Sequence, residues 1–335
     1  MSEMGVKNTN STEFTVEEAE LYDRQIRLWG LESQKRIRTS RILLCGINGL
    51  GAEISKNIIL AGVKSVTFLD HKVVSEADRC SQFLAPVSAL GQNRAEASLA
   101  RAQALNPMVE LKADKDVVSE KPDVFFTSFD VVIVIEAPRK EMIRINNACR
   151  MSGVKFFATD VWGMFGYCFA DLQEHEFIED VFKHKVISKE NEKIKTELVA
   201  VPTKKTLLFP PFQDVFEFDC RKHDYIKTIK RKGYALLMFM ILHQFREDHK
   251  RDPCYTKAPE DRNILLQYRD ELAPGIIPDD AFIHVYAQIC PAAAIVGGVV
   301  GQEVIKSVSQ KEAPHHNLFF FDPERGDGYI ETIGI

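Results

Sequence analysis

Short apolar runs alternate with helically periodic segments along the first half of the chain. In "GAEISKNIILAG", Ile54, Ile58 and Ile59 recur at helical spacing. Strands that are apolar throughout and separated by helices form parallel sheets that helices cover on both faces. This pattern predicts an α/β fold, a doubly wound Rossmann-like sheet, over residues 15–172. The principal predicted strands are "RILLCG" (41–46), "SVTFLD" (65–70) and "FDVVIVIEA" (129–137).

The chain is predicted to enter this sheet through two helices. Thr15 followed by Glu18 forms a capping box, which opens a helix through "EEAELYDRQIRLW" that ends at Gly30. A second, short helix is predicted over 31–39. The polar residues 1–14, ahead of the capping box, are predicted to be a disordered tail.

The sequence changes character after residue 172. Residues 173–285 are predicted to form an insertion, first a charged and proline-rich loop with short strands, and then helices near 222–248 and 260–272. Residues 286–335 are predicted to return to the core as a helix and a hairpin.

The last predicted helix, 278–309, contains three glycines at positions 297, 298 and 301. Each glycine within a helix costs roughly 1 kcal/mol relative to alanine. The cost implies either a close approach by a sheet or partner helix, or tight packing in the core, and both readings remain open. A C-terminal hairpin with its turn near Asp322–Gly328 follows.

Composition narrows the classes of function. The 335 residues are 45% hydrophobic with a formal net charge of −5 and a pI of about 6.0, so the chain lacks the basic excess of nucleic-acid-binding proteins. Seven scattered cysteines without a CxxC pair argue against a structural zinc site and a disulfide framework, and they favour a reducing compartment. No apolar run reaches the roughly 20 residues of a membrane helix, so no membrane contact is expected.

A nearly complete dinucleotide-binding fingerprint follows the first strand. In that fingerprint one glycine permits a tight turn, a second admits the pyrophosphate, and a third lets the helix pack on the strand. Gly46 and Gly51 occupy the first and third positions, whereas the second is Asn48, whose side chain stands where a phosphate needs room. Gly49 lies beside it, and Asp70 stands near the usual position of the ribose-binding acid. The motif predicts the βαβ fold and leaves two readings, a nucleotide site or a turn that has lost its ligand.

Five segments of the chain form a set: "YDRQIRLWG" (22–30), "GLGAEISKNIILAGVKSVTFLD", "NRAEAS" (93–98), "LNPMV" (105–109) and "FDPERGDG". Together they resemble the family that activates ubiquitin-like modifiers, which has the ThiF/MoeB-type fold. The length and the N-terminal segment are similar to the smaller, non-catalytic subunits of heterodimeric SUMO-activating enzymes. Members of this family adenylate the C-terminal glycine of a modifier with ATP and Mg²⁺ and then capture it as a thioester.

Several residues of the family's adenylation site are replaced in this chain. An Arg that precedes a Gln-Phe pair in active members is Ser81 here, and a neighbouring Asn is displaced or lost as Asp78. A Lys of the following helix is Arg94, and the Mg²⁺-binding Asp after the fourth strand is Ala137. Glu136 lies one residue away and, within a strand, is expected to face the opposite side. These replacements and the missing thioester cysteine imply no metal site and only vestigial cofactor binding, at Gly46, Asn48, Gly49, Gly51, Asp70 and Arg94.

The resemblance implies that the chain pairs with a larger catalytic subunit and completes that subunit's adenylation site in trans. The implied contributor is Arg24 in "YDRQIRLWG", with Arg27 on the same helix face as a second candidate. ATP and Mg²⁺ are then bound mainly by the partner, and the isolated chain is expected to be inactive. SUMO and, indirectly, the SUMO-conjugating enzyme are further implied partners; the nucleus is the implied compartment, with the cytoplasm as a second location. From pattern alone, Arg24 is a surface residue paired with Asp23 or Glu20.

Two other functions remain open at the level of sequence. One is an autonomous, homodimeric adenylating enzyme of the ThiF/MoeB type, in which Arg94 and Glu136 compensate for the replaced residues. The other is an NAD(P)-dependent oxidoreductase that uses the unit from Gly46 to Asp70, although no Tyr-Lys or His-Asp pair of suitable spacing accompanies it.

Overall fold

A computed structural model describes residues 14–190, 193–220, 225, 227, 229, 233–322 and 326–334, with only the backbone described for 184–190 and 193–197. The predicted disordered tail, 1–14, lies outside the described residues except for Phe14. Part of the helix predicted over 222–248 also lies outside them.

An eight-stranded sheet forms the centre of the fold, in the order β10-β9-β6-β5-β4-β1-β2-β3. The run from β3 to β5 is parallel, and β6, β9 and β10 continue the sheet in antiparallel pairing. A separate two-stranded ribbon pairs β7 with β8. The strands are β1 Arg41–Cys45, β2 Ser65–Leu69, β3 Glu110–Asp114, β4 Val131–Ile135, β5 Lys155–Trp162, β6 Phe165–Asp171, β7 Glu174–Glu190, β8 Lys193–Leu208, β9 Leu318–Asp322 and β10 Asp327–Glu331.

Helices connect the strands and cover the sheet. The α-helices of the described residues are α1 Val16–Leu21, α2 Asp23–Trp29, α3 Leu31–Thr39, α4 Gly49–Leu60, α5 Arg94–Leu105, α6 Asp123–Phe126, α7 Arg139–Met151, α8 Phe212–Glu217, α9 Ala235–His249, α10 Ala258–Leu272 and α11 Cys290–Ser309. Short 3₁₀ turns span Ala77–Cys80, Val87–Ala89, Val118–Glu120 and Tyr255–Lys257.

Alternate side chains of the central strand β1 point into two hydrophobic cores. Ile42 and Leu44 pack with α4, α5 and α11 on one face, whereas Leu43 and Cys45 pack with α7 and α9 on the other. The helices of the insertion therefore cover the second face. The predicted doubly wound sheet with a helical insertion and a C-terminal hairpin is confirmed.

The glycines of α11 are explained by the close approach of α4. A Cβ atom on Gly297 would lie 2.6 Å from Cβ of Glu53, and one on Gly301 would lie 2.6 Å from Cβ of Asn57. Gly298 faces open space instead. Among the described residues, α11 is the one helix long and apolar enough to cross a membrane. However, 61% of its most apolar 18-residue stretch is buried inside the fold, as expected of a core helix.

Three predicted elements need correction. The helix predicted from Thr15 to Gly30 is two helices that meet at Tyr22. The segment after residue 172, predicted as a loop with short strands, is instead the long ribbon of β7 and β8. The helix predicted from 278 begins only at Cys290, with Pro291 in its first turn, where the missing N–H costs no hydrogen bond.

Candidate functional site

A cavity of about 630 Å³ opens at the carboxyl ends of β1, β2 and β4. This is the point where the strand order reverses, and ligands of open α/β sheets bind in the crevice at that point. Gly46, Asp70, Arg94 and Glu136 line the cavity from the sheet, and the insertion adds a second wall. The wall from the insertion consists of Arg246, Glu247, Lys250, Arg251 and Asp252.

The glycine turn keeps the shape of a nucleotide-binding turn. Gly46 has φ +94°, and a Cβ atom there would lie 3.0 Å from the carbonyl oxygen of Ile135. A Cβ atom on Gly51 would lie 2.3 Å from the carbonyl oxygen of Gly46, so this glycine lets the helix pack on the strand. The first and third glycines thus retain their structural roles.

Asn48 caps the helix that follows the turn. Its Oδ1 accepts a hydrogen bond from the backbone N–H of Gly51 at 3.1 Å, and its Nδ2 donates to Glu136 at 3.4 Å. An Asn side chain at this position satisfies one of the free N–H groups of the helix terminus. Asn48 therefore occupies one of the backbone N–H groups that bind phosphate at helix N-termini in other nucleotide-binding folds.

Ser81 closes the same end of the helix from above. A Cβ atom on Gly49 would lie 1.9 Å from Oγ of Ser81, so these two residues are in direct contact. Ser81, which the resemblance placed at the position of the family's Arg, is buried.

Asp70 is fully engaged by its own chain. One carboxylate oxygen accepts hydrogen bonds from the backbone N–H of Ile47 at 2.8 Å and from Nε of Arg94 at 2.7 Å. The other accepts from the backbone N–H of Lys72 at 2.9 Å. The side chain is buried, so this carboxylate, which lies near the usual position of a ribose-binding acid, holds the turn and an arginine of its own chain.

Arg94 is a buried guanidinium surrounded by three carboxylates. It pairs with Asp70 at 2.7 Å, with Asp78 at 3.0 Å and with Glu136 at 3.5 Å. Burial opposes the charge, but the attraction of the three carboxylates outweighs it and raises the pKa of Arg94. The vestigial site residues Gly46, Asn48, Asp70 and Arg94 are thus brought together, as parts of an internal network.

Glu136 faces the cavity, so the expectation that it turns to the opposite side is wrong. The strand ends at Ile135, and Glu136 has φ +57°, which redirects its side chain. Its carboxylate pairs with Lys72 at 2.8 Å and with Arg94. Burial alone would raise its pKa, but Lys72 and Arg94 outweigh burial and lower the pKa of Glu136 to about 2.

A second buried arginine, Arg246, comes from α9 of the insertion and was not predicted from the sequence. It pairs with Asp160 of β5 at 2.7 Å and with both oxygens of Asp252 at 2.7 and 2.8 Å. It also donates to the carbonyl of Ala137 at 3.4 Å. Burial raises the pKa of Asp160 to about 6, against the attraction of Arg246. An Asp within the apolar run "FFATDVW" was the one available signal, because an unpaired buried charge is costly.

The N-terminal arginine candidates lie elsewhere. Arg24 on α2 is exposed and has no hydrogen-bond or ion-pair partner among the described residues. Asp23 pairs with Arg27 at 3.0 Å instead, so the predicted surface pairing of Arg24 with Asp23 or Glu20 is absent from the structure. Leu28, one turn after Arg24, has 74% of its surface exposed.

Arg24 is far from the cavity of its own chain. Its neighbour Gln25 donates to the carbonyl of Leu60, at the C-terminal end of α4, whereas the glycine turn lies at the N-terminal end of that helix. A helix of 12 residues spans about 18 Å. The helix that carries Arg24 therefore lies at the end of α4 opposite to the glycine turn.

Known proteins resemble this chain over nearly its whole length. The sequence model of the ThiF family matches residues 22–333. SUMO-activating enzyme subunit 1 of Xenopus tropicalis is 44% identical over 336 residues, which cover 95% of this chain and 96% of that protein. The human protein of the same name is 42% identical and covers 95% of this chain and 96% of its own length; the Danio rerio protein is 44% identical and covers 94% of each.

A solved structure adds support for the fold alone. The crystal structure of selenomethionine PaaA superimposes with a TM-score of 0.58 at 14% sequence identity, covering 98% of this chain and 87% of that one.

Proposed function

The chain belongs to the ThiF family, as its five shared segments indicated, and from its similarity to SUMO-activating enzyme subunit 1 proteins we propose that it is the non-catalytic subunit of a heterodimeric SUMO-activating enzyme. In this role it takes part in the ATP-dependent first step of sumoylation. Its partners are the larger catalytic subunit and SUMO, and indirectly the SUMO-conjugating enzyme. The proposed compartment is the nucleus, which imaging of the tagged protein in cells tests.

The state of the cleft supports a non-catalytic role. Adenylation requires cations and a carboxylate-held Mg²⁺ at the phosphates, because negative charge develops there. In this chain Arg94 and Arg246 are neutralised by carboxylates of the chain itself, and Ala137 stands at the position of the metal ligand. ATP and Mg²⁺ are accordingly bound by the partner subunit.

The guanidinium of Arg24 is exposed and has no partner among the described residues, and its helix lies at the end of α4 opposite to the glycine turn, which supports a contribution in trans. An unpaired guanidinium is free to meet phosphate oxygens of a nucleotide bound by the partner. Arginines that act in trans accelerate other phosphoryl-transfer reactions by roughly 10³-fold or more. Arg24 thus completes the adenylation site of the larger subunit.

Substitution of Arg24 tests this role. We expect Arg24→Ala to lower the adenylation rate of the reconstituted heterodimer by about 10²- to 10³-fold without weakening heterodimer assembly. Arg27→Ala is the matched control on the same helix, because its guanidinium already pairs with Asp23 and its loss is expected to cost much less. Pyrophosphate exchange measures adenylation, and analytical ultracentrifugation measures assembly. A normal exchange rate in the Arg24→Ala heterodimer rejects the role.

The same assay decides between this function and its alternatives. Pyrophosphate exchange by the chain alone would favour the autonomous homodimeric adenylating enzyme. Fluorescence enhancement of a reduced nicotinamide cofactor on mixing with the chain would favour the oxidoreductase. We expect neither signal.

A further inference from the structure

The helix that presents Arg24 makes few contacts with the hydrophobic core, against which its last residue, Trp29, packs. None of the seven residues of α2 is fully buried. A helix of this length is unstable alone, because nucleation costs more than so few hydrogen bonds return. The direction of the Arg24 side chain therefore depends on what fixes α2 at its two ends.

At its N-terminal end, α2 is anchored by Tyr22. The ring fills the space above Gly62, where a Cβ atom would lie 2.4 Å from Cζ of Tyr22. The hydroxyl accepts a hydrogen bond from Nδ2 of Asn106 at 2.9 Å. Tyr22 is buried, although the helix that follows it is not.

Three side-chain amides join α2 and its surroundings to the end of α4. The last carbonyl groups of a helix lack partners within the helix. Asn106 donates to the carbonyl of Ile59 at 3.0 Å, Gln25 to that of Leu60 at 3.0 Å, and Gln34 to that of Ala61 at 2.9 Å. Trp29, the last residue of α2, donates to Gln34 at 2.8 Å, so the C-terminal end of α2 is held as well.

Arg24 thus lies between two anchors, Tyr22 and Gln25, that both rest on the end of α4. These contacts also link two segments shared with the family, "YDRQIRLWG" and "LNPMV", through the bond between Asn106 and Tyr22. We propose that Tyr22 and Gln25 are positioning residues for adenylation: they fix the orientation of α2 and so direct Arg24 at the partner's nucleotide. This proposal rests on the proposed function of Arg24.

Two conservative substitutions test the proposal in the reconstituted heterodimer. Tyr22→Phe removes the acceptor hydroxyl and Gln25→Leu removes the donor amide, while each keeps the size of the side chain. We expect each to lower the turnover of pyrophosphate exchange by about three- to tenfold, because a displaced guanidinium is less well placed against the reacting phosphate. The KM for ATP should stay unchanged, because the other contacts that bind ATP are not altered.

The decisive readout is a double-mutant cycle with Arg24→Ala. A positioning residue acts only through the group it positions, so Tyr22→Phe or Gln25→Leu should cause no further loss in the Arg24→Ala heterodimer. A general loss of stability would lower turnover in both backgrounds. Tyr268→Phe and Gln244→Leu are matched controls in the insertion, where each removes a bond to Asp248, and both should have normal turnover.

The outcomes separate the two proposals. Normal turnover of both single variants, or a loss that adds fully to that of Arg24→Ala, overturns the positioning role and leaves the role of Arg24 intact. A normal rate in Arg24→Ala itself overturns the proposed function instead.

Discussion

At the scale of single side chains, the cleft holds an internal network of ion pairs. Arg94 forms ion pairs with Asp70, Asp78 and Glu136, so carboxylates of the same chain neutralise its charge. Breaking one partner of a buried pair leaves an uncompensated charge, which is strongly destabilising. Removal of any one member of the cluster is therefore expected to destabilise the fold.

Glu136 gives this network a measurable pH dependence. Its pKa, lowered from the ordinary 4.5 to about 2, makes its stabilising contribution fully present above about pH 4.5 and lost as the pH falls toward 2. We expect Glu136→Gln to lower the free energy of unfolding near neutral pH by up to about 3 kcal/mol, and the difference from wild type to shrink on acidification. Urea denaturation across this pH range measures it.

A matched variant controls for the loss of a carboxylate as such. Glu260→Gln removes an exposed carboxylate on α10 and should follow the wild-type curve. A gap between Glu136→Gln and wild type that stays constant with pH would contradict the assigned pKa.

The residues of this network differ in how far sequence could reveal them. The fingerprint identified Gly46, Asn48 and Asp70 because their spacing is local. The direction of Glu136 depended on one left-handed backbone angle, which no periodicity encodes. Arg246 meets Asp160 across a long stretch of chain and an insertion, so only the folded structure unites them.

Among the elements, the contact between α4 and α11 explains residues that cost helix stability. Gly297 and Gly301 meet Glu53 and Asn57, and Nδ2 of Asn57 donates to the carbonyl of Gly297 at 3.2 Å. The sequence left two explanations open, a close approach by another element or tight packing in the core. For these two glycines, the close approach of helix α4 is the explanation. Gly298 has no such neighbour.

The three glycines should therefore respond differently to substitution by alanine. Gly301→Ala is expected to lower the free energy of unfolding by about 1–3 kcal/mol, because the new methyl group overlaps Asn57. Gly298→Ala is the matched control and should raise it by up to about 1 kcal/mol, since alanine favours the helix and the space is open. Urea denaturation of the purified chain measures both, and equal effects would refute the packing argument.

Elements were predictable where burial was one-sided or complete. The apolar strands β1, β2 and β4 stand out because the core imposes their pattern, and α1 stands out because its capping box is a local signal. The strands of the β7–β8 ribbon pair with each other and not with the central sheet, and Tyr22, where the two helices meet, packs against Gly62. Tertiary contacts of this kind leave no local periodicity.

At the scale of the whole molecule, the insertion and the sheet share one cleft. Arg246 of α9 pairs with Asp160 of β5, and Glu247 and Asp252 line the cavity beside Gly46. The insertion thus closes the crevice with charged groups that are already paired. A nucleotide entering it would have to displace these ion pairs.

The lone chain should therefore be insensitive to its family's cofactor. A ligand at 100 times its Kd stabilises a protein by about 2.7 kcal/mol, which a thermal melt detects. We expect millimolar Mg-ATP to leave the Tm of the isolated chain unchanged and to raise that of the reconstituted heterodimer. A rise of the Tm of the lone chain would show that the cleft still binds nucleotide.

The topology of the sheet also constrains the order of assembly. Strand β9 lies between β6 and β10, yet the whole insertion separates it from β6 along the chain. Contacts between such distant segments form late, because closing the intervening loop costs entropy before any pairing is gained. A ribosome must therefore translate the complete insertion before β6, already paired with β5, can pair with β9. Until then, that edge of the nascent sheet needs shielding from aggregation.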